Sequence, residues 1–331
     1  MGDEEMPGGL CPPKGANLIV EVPMSSNSWK TFRKYVRNGE GLYMTLAKLG
    51  LKDSDSDEVF LRHAYKANFG RELDLEHPKR YNEKLQWLKL HDRRPEYVTM
   101  VDKYEAKKYV AERIGEQYVV PAYGVWDSPG EIDFGALPDR FVLKCTHDCG
   151  GIVICRDRKE FDEGRARQLL GKWLKRQFFQ EWREWPYRLV KPRILAEKFM
   201  EDAATGELAD YKFFAFDGVV RAMFVAMDRQ NPDEETKFDF YDADFRHLDL
   251  VNGHPNSRRP LPKPKSFDEM KSLAETLSKG IPHVRADFYE VDGRPYFGEL
   301  TFSHWSGMVP FEPDEWDFTF GDWLRLPEAN A

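Results

Sequence analysis

Two Asp-Gly pairs, Asp217-Gly218 and Asp292-Gly293, each stand between runs of strand-forming residues, and no other feature constrains the fold as much. Asp-Gly supplies two consecutive positions that tolerate positive φ, which is the backbone a two-residue hairpin turn requires. The flanking runs predict strands over Tyr211 to Phe216 and Val219 to Met227, then over His283 to Val291 and Arg294 to Phe302. The second pair forms the clearest hairpin in the chain.

Other segments fill in around these hairpins. Helical spacing recurs between Trp29 and Gly115, in Phe60, Ala64 and Phe69, then Leu85, Leu88 and Leu90, then Val101, Tyr104, Tyr109 and Val110. Short β-rich runs follow at Tyr118 to Pro121, Phe141 to Cys145 and Ile152 to Cys155, with Gly150-Gly151 as the turn between the last two. A helix is expected at about Arg165 to Phe179 and a strand at Arg193 to Met200. Residues 228 to 265 are polar and rich in Pro and Asn, which reads as a long surface excursion. Ser266 with Glu269 three residues on is a capping-box signature for a helix to Lys279. The class is therefore α+β. Its expected parts are a disordered leader (1–27), a helical N-terminal region (28–115) and two further α+β stretches, 116–200 with the Gly150-Gly151 turn and 201–331.

Composition excludes several function classes. A net charge of -8 disfavours a nucleic-acid-binding surface, and 32% charged residues argue against a membrane protein. Met1 to Gly15 is acidic and rich in Pro and Gly, without the apolar core of a signal peptide, and no apolar run reaches ~18 residues. A cytoplasmic location is the expectation. Cys145, Cys149 and Cys155 lie near His147, but they lack CxxC spacing and the run continues as strand, against a zinc site.

Four constellations could carry chemistry. In a hairpin turning at 292 and 293, Asp287 and Glu299 stand nearly opposite each other, and a bulge could aim both at one ion. Arg285 is two residues from Asp287, hence on the same strand face. Two carboxylates and an arginine suit a metal-bound polyphosphate, because magnesium takes hard oxygen ligands and completes its shell with phosphates. The same spacing fits an exposed hairpin with a cross-strand Arg–Glu pair, which contributes little. Lys144 precedes Gly150-Gly151, a plausible phosphate cradle since glycine lets backbone N–H groups approach phosphate oxygens. A plain hairpin with a solvated lysine fits too. Ile194 to Met200 can offer a strand end to adenine, or be a core strand with Glu197 and Lys198 at its rim. Lys103, beside Asp102 near a helix start, could reach phosphate, though most helix-surface lysines do not.

The order of these pieces resembles the ATP-grasp superfamily: Asp102-Lys103, Lys144 with Gly150-Gly151, Glu197-Lys198, Arg285-x-Asp287, Glu299-x-Thr301. From Tyr81-Asn82-Glu83-Lys84-Leu85-Gln86-Trp87 to the C-terminus the chain is similar to the TupA-like ATP-grasp family of bacterial surface-polysaccharide loci. Val101 to Tyr104, Phe141 to Gly151, Arg183 to Tyr187, Asp210 to Phe214 and Phe297 to Phe302 carry that likeness. The resemblance implies a nucleotide between two α+β subdomains, under a mobile lid near residue 150. It implies ATP phosphates on Lys103 and Lys144 under Gly150 and Gly151, and adenine and ribose framed by Glu197, Lys198, Phe199 and Met200. Lys212 would add a phosphate contact and Arg285 would steady the intermediate. Asp287, Glu299 and Thr301 would hold magnesium, with manganese as an alternative. The Arg183 to Tyr187 segment and His304-Trp305 are candidates for the acceptor pocket.

Two departures stand out. Thr301 takes the place of the family's usual Asn, and Asp148-Cys149 takes the middle of a lid that reads His-Gly-Ser-Gly in the family. A carboxylate beside triphosphate is electrostatically unfavourable unless a cation intervenes. The implied reaction is ATP-dependent joining of a carboxylate to an amine through an acyl phosphate. Its partners would be a uronic-acid sugar and an amino acid or other amine. A glycosyltransferase and a non-catalytic nucleotide-binding protein are the rival readings.

Overall fold

The computed structural model describes residues 18–19, 39–203, 208–227, 235–257, 259 and 261–328. Most of the expected leader lies outside these residues. The chain builds two antiparallel sheets with helices on their faces, as the α+β expectation required.

The smaller sheet uses β1 (Leu18–Ile19), β2 (Ala122–Trp126), β3 (Phe141–Cys145), β4 (Ile152–Cys155) and β5 (Ile194–Lys198), in the order β1-β4-β3-β5-β2. Alternation along β3 and β5 sends Phe141, Leu143, Cys145, Ile194 and Ala196 to one face. That face packs on Ala166, Leu169, Leu170 and Trp173 of the helix Glu163–Trp173, which Asp162 caps by accepting from Arg165 N at 2.8 Å. The helix stops at Trp173, short of the expected Phe179, and Phe179–Trp182 forms a separate turn. Lys144 and Glu197 fall on the opposite face.

The larger sheet comprises β6 (Ala209–Phe216), β7 (Val219–Met227), β8 (Lys237–Asp242), β9 (His247–Leu248), then, after the short β10 (Val251–Asn252), β11 (Val284–Val291) and β12 (Arg294–Thr301). Its order is β12-β11-β6-β7-β8-β9, and β10 pairs apart with β13 (Phe311–Glu312). Both Asp-Gly turns form as read, with positive φ at Asp217, Gly218, Asp292 and Gly293. One face, including Phe213, Met223 and Phe288, is covered by the helices Glu96–Val101, Glu105–Ile114 and Phe267–Leu277. The other, with Phe214, Phe216, Phe224 and Phe240, meets Tyr81 and Leu85 of the helix Tyr81–His91 and Phe320 of Glu315–Trp323. The helices between Tyr81 and Ile114 thus clothe the large sheet, while Gly39–Lys48 and Asp57–Phe69 pack in a separate cluster.

Three expectations fail for local reasons. Glu116–Tyr118 is a 3-10 turn, and strand begins only after Pro121, which has no N–H to donate. Part of 228–265 lies outside the described residues, but Lys237–Asp242 is a paired strand, not an excursion. Its polarity misled because Asp239 is buried and accepts from Ser257 N at 2.8 Å. Ser266 does not cap its helix: its hydroxyl and its N–H both donate to Glu290 Oε2, at 2.5 and 2.7 Å.

Candidate active site

Along β6 the residues Phe216, Phe214, Lys212 and Asp210 point to one face, apolar first and charged last. The helices Tyr81–His91 and Glu315–Trp323 cover the aromatic half and leave the charged end to a cleft. Register brings Asp287 opposite Lys212 and Arg285 opposite both Phe214 and Thr301. Ala286 pairs with Leu300 but Phe288 with Phe297, so Gly298 and Glu299 together face Asp287. That is the bulge which turns both carboxylates toward one side.

Arg285 is the hub of this group. Its Nε donates to Asp287 Oδ1 and its Nη2 to Asp287 Oδ2, both at 2.7 Å, a bidentate pair. Nη2 also reaches Thr301 Oγ1 at 3.0 Å and Glu299 Oε1 at 3.3 Å. Nη1 donates to His304 Nδ1 at 2.8 Å, and with five N–H donors on a guanidinium one Nη1–H is left over. His304 Nε2 in turn meets Asn252 Oδ1 at 2.9 Å, and the Asn252 amide is fixed by donating to Val309 and Pro310 carbonyls. Lys212 pairs with Asp287 and, at 2.7 Å, with Asp210.

On the smaller sheet Glu197 is bridged by Lys144 at 2.6 Å and by Lys107 at 2.5 Å. Lys103, in the turn before the helix that carries Lys107, donates to the carbonyl of Asp148 in the glycine turn. Burial would raise the Glu197 carboxyl, but Lys144 and Lys107 hold it down to about 2. Burial likewise acts on Glu299, and Lys212, Arg285, Lys103 and Lys144 together bring it to about 2. Lysines of the small sheet face and arginine of the hairpin therefore act on one carboxylate across the cleft. Asp287 behaves differently: burial raises it against the pull of Arg285 and Lys212.

Counting charges shows what the cleft can hold. Lys103, Lys107 and Lys144 stand against Glu197, a surplus of positive charge suited to phosphates. Asp210, Asp287 and Glu299 stand against Lys212 and Arg285, a surplus of negative charge built from hard oxygen donors. Hard oxygen donors with a surplus of negative charge are what a hard dication takes. Among the described residues no three His, Cys, Asp or Glu side chains form a ready-made cage.

In the glycine turn Asp148 faces away from solvent, and both of its carboxylate oxygens are buried without a hydrogen-bond partner among the described residues. Its side chain is turned inward under the glycine turn, fully buried, 3.7 Å from Arg176. A Cβ on Gly151 would lie 2.9 Å from Asp148 Oδ2, so this inward pose needs glycine there. Gly150 takes φ 99, and Cys149 is the exposed residue of the lid. Cys145 and Cys155 are buried in the strand core.

Not every expected residue converges. Lys198 is exposed on the face opposite Glu197, and its N–H donates to Pro121 O at 2.9 Å. Phe199 is flanked by Arg140 and Arg156, and Met200 follows at the strand end. Arg183 is buried toward the N-terminal helices, donating to Lys52 O and lying over Phe60. Trp305 packs beside the large-sheet aromatics. Sequence reasoning missed Asp210 and Lys107. The signal for Asp210 was period two from Lys212 on a strand, whereas Lys103 lies in the turn before the helix that carries Lys107. Nothing local marked Asn252.

The family model described as TupA-like ATPgrasp matches residues 83–325. Among solved structures the chain is similar to D-alanine–D-alanine ligase from Bacillus anthracis complexed with ATP, at 14% identity and TM-score 0.36, covering 62% of this chain and 54% of that one. It is similar to L-amino acid ligase from Bacillus licheniformis at 14% identity and TM-score 0.44, covering 76% and 57%. It also resembles the ATP-grasp ligase PsnB complexed with minimal precursor, Mg and ADP, at 12% identity and TM-score 0.38, covering 67% and 58%. The chain thus spans little more than half the length of these three proteins. No curated protein matches the sequence. The match to the family model, which takes in well over half of the residues, shows that the chain belongs to the TupA-like ATP-grasp family.

Proposed function

We propose that the protein is an ATP-dependent, ADP-forming ligase that joins a carboxylate to an amine through an acyl phosphate. The observation that carries this reading is the opposition of a lysine-rich face to a carboxylate-rich hairpin across one cleft. Lys103 and Lys144 would bind the ATP phosphates, with Glu197 and Lys107 holding Lys144 in place. Gly150 and Gly151 would let the lid backbone approach those phosphates, and the strand end at Phe199 and Met200 would meet the base. Asp287 and Glu299, with Thr301 beside them, would hold magnesium, which supplies charge neutralisation at the transferring phosphoryl group. Lys212 would orient Asp287. Arg285, locked by Asp287, Thr301 and His304, would direct its remaining N–H at the oxyanion formed when the amine attacks. No protein nucleophile is required.

Family resemblance favours a uronic-acid-type sugar as the acceptor and an amino acid as the amine, in polysaccharide assembly. Arg176, 3.7 Å from Asp148, supplies a counter-charge beside the phosphates, which supports the catalytic reading over the non-catalytic one. Mass spectrometry and ADP release across a panel of amino acids and uronic-acid acceptors test the proposal, since a glycosyltransferase would consume nucleotide sugar without releasing ADP. Glu299→Ala should abolish amide formation in a folded protein, because the Glu299 side chain is 41% exposed to the cleft. Full turnover by that variant would sink the metal assignment.

A further inference from the structure

Beside the hairpin lies a second recess, lined by Lys89, Asp92, Tyr97, Glu184, Tyr187 and Ser303 among others. Its inner space is about 30 Å³, room for roughly two water-sized groups. A head group of a ligand fits there, and a whole sugar does not.

The charged groups lining this recess are committed, with one exception. Lys89 Nζ donates to Gln86 Oε1 at 3.0 Å, Trp182 O at 3.0 Å and Ser306 O at 2.7 Å, which uses all three of its hydrogens. Asp92 accepts from Arg94 Nε at 2.9 Å and from Tyr97 OH at 2.7 Å. Glu184 is the exception. It is 8% exposed, Ser306 Oγ donates to its Oε1 at 2.6 Å, and no lysine or arginine forms a salt bridge with it among the described residues. A buried carboxylate in that state calls for a cationic donor. Burial holds its carboxyl above the ordinary range, against the opposing pull of Lys89 and Ser306.

Its place is equally specific. The turn His304–Gly307 holds Arg285 through His304 and Glu184 through Ser306, two residues apart. The guanidinium assigned to the reacting carbonyl is also among the charges that act on the Glu184 carboxyl. Since Lys89 has no donor to spare, the recess offers a carboxylate no free ammonium.

We infer that this recess is the entry site of the amine substrate, and that Glu184, positioned by Ser306, receives its primary ammonium group. Calling that cation a substrate rests on the ligase reading, whereas the cation site itself can be tested without turnover.

Thermal unfolding with glycinamide, a cation without a carboxylate, and with acetate as the anionic control makes the test. Glycinamide should raise the midpoint of the wild type, and Glu184→Gln should weaken its apparent affinity by about tenfold or more. Ser306→Ala should show a smaller loss, and acetate should act on none of them. Should Glu184→Gln lack native near-UV dichroism, Ser306→Ala decides. Equal glycinamide responses in wild type and in the folded variants, or stabilisation by acetate instead, would overturn the inference. ADP release by the wild type without any Glu184-dependent glycinamide effect overturns this inference alone. Glu184-dependent binding in a protein that never releases ADP overturns the substrate assignment together with the ligase reading.

Discussion

Glu197 and Asp287 hold matching posts in the two sheets, each a buried strand carboxylate bridged by two cations. Yet Glu197 is held at about 2, while Asp287 is raised. Burial acts on both. What differs is the company: Glu197 meets only lysines, whereas Asp287 shares its cations with Asp210 and Glu299. The same local motif therefore gives one face that seeks anions and another that seeks a cation. An ATP–metal complex needs both, facing each other.

The most severe test of this contrast is Asp287→Ala. It leaves Arg285 and Lys212 buried with fewer partners and should cost about 3–5 kcal/mol in urea unfolding, besides activity. A loss well below that range would mean the hairpin charges are not organised around Asp287. Lys144→Ala probes the opposite face. Glu197 keeps Lys107, so folding should hold while ATP affinity by calorimetry falls about ten- to a hundredfold. Unchanged affinity would remove Lys144 from the site.

His283, under the hairpin, sharpens the comparison by pH. It is buried between Tyr81 OH at 2.8 Å and Ala215 O at 3.0 Å, and burial lowers it to about 3. The unfolded chain, titrating near 6.5, then binds more protons between pH 6.5 and 3. The His283 contribution is complete above pH 6.5 and lost as pH falls toward 3, by up to about 1.4 kcal/mol per pH unit. The stability gap between wild type and His283→Gln should shrink accordingly, and a pH-independent gap would show that His283 stays charged in the fold. The smallest effect is expected at Gly298, where an added Cβ would lie 3.1 Å from Asp287 O. Gly298→Ala should cost about 1 kcal/mol and misaim Glu299. A neutral result in both unfolding and turnover would mean the bulge does not depend on glycine.

Much of this was legible before the fold was known. The two Asp-Gly turns, the strands around them and the pairing of Asp287 with Glu299 follow from short-range rules of φ and alternation. Lys144 and Glu197 were legible as site candidates, but their bond to each other was not, because β3 and β5 are some fifty residues apart in sequence. Strand β8 was missed because Asp239 looks like a loop residue until its backbone partner at Ser257 is seen. Ser266 resembles a cap until Glu290 of another strand claims it.

The sequence alone determined the α+β class, the hairpins and the ordered set of lysines, glycines and carboxylates, since each is written in neighbouring residues. Tertiary structure decided which of them meet. It turned Asp148 inward and Lys198 away, added Asp210, Lys107 and Asn252, and left Glu184 without a salt bridge among the described residues. Those outcomes depend on register between distant strands and on what packs above them, quantities that local spacing does not carry.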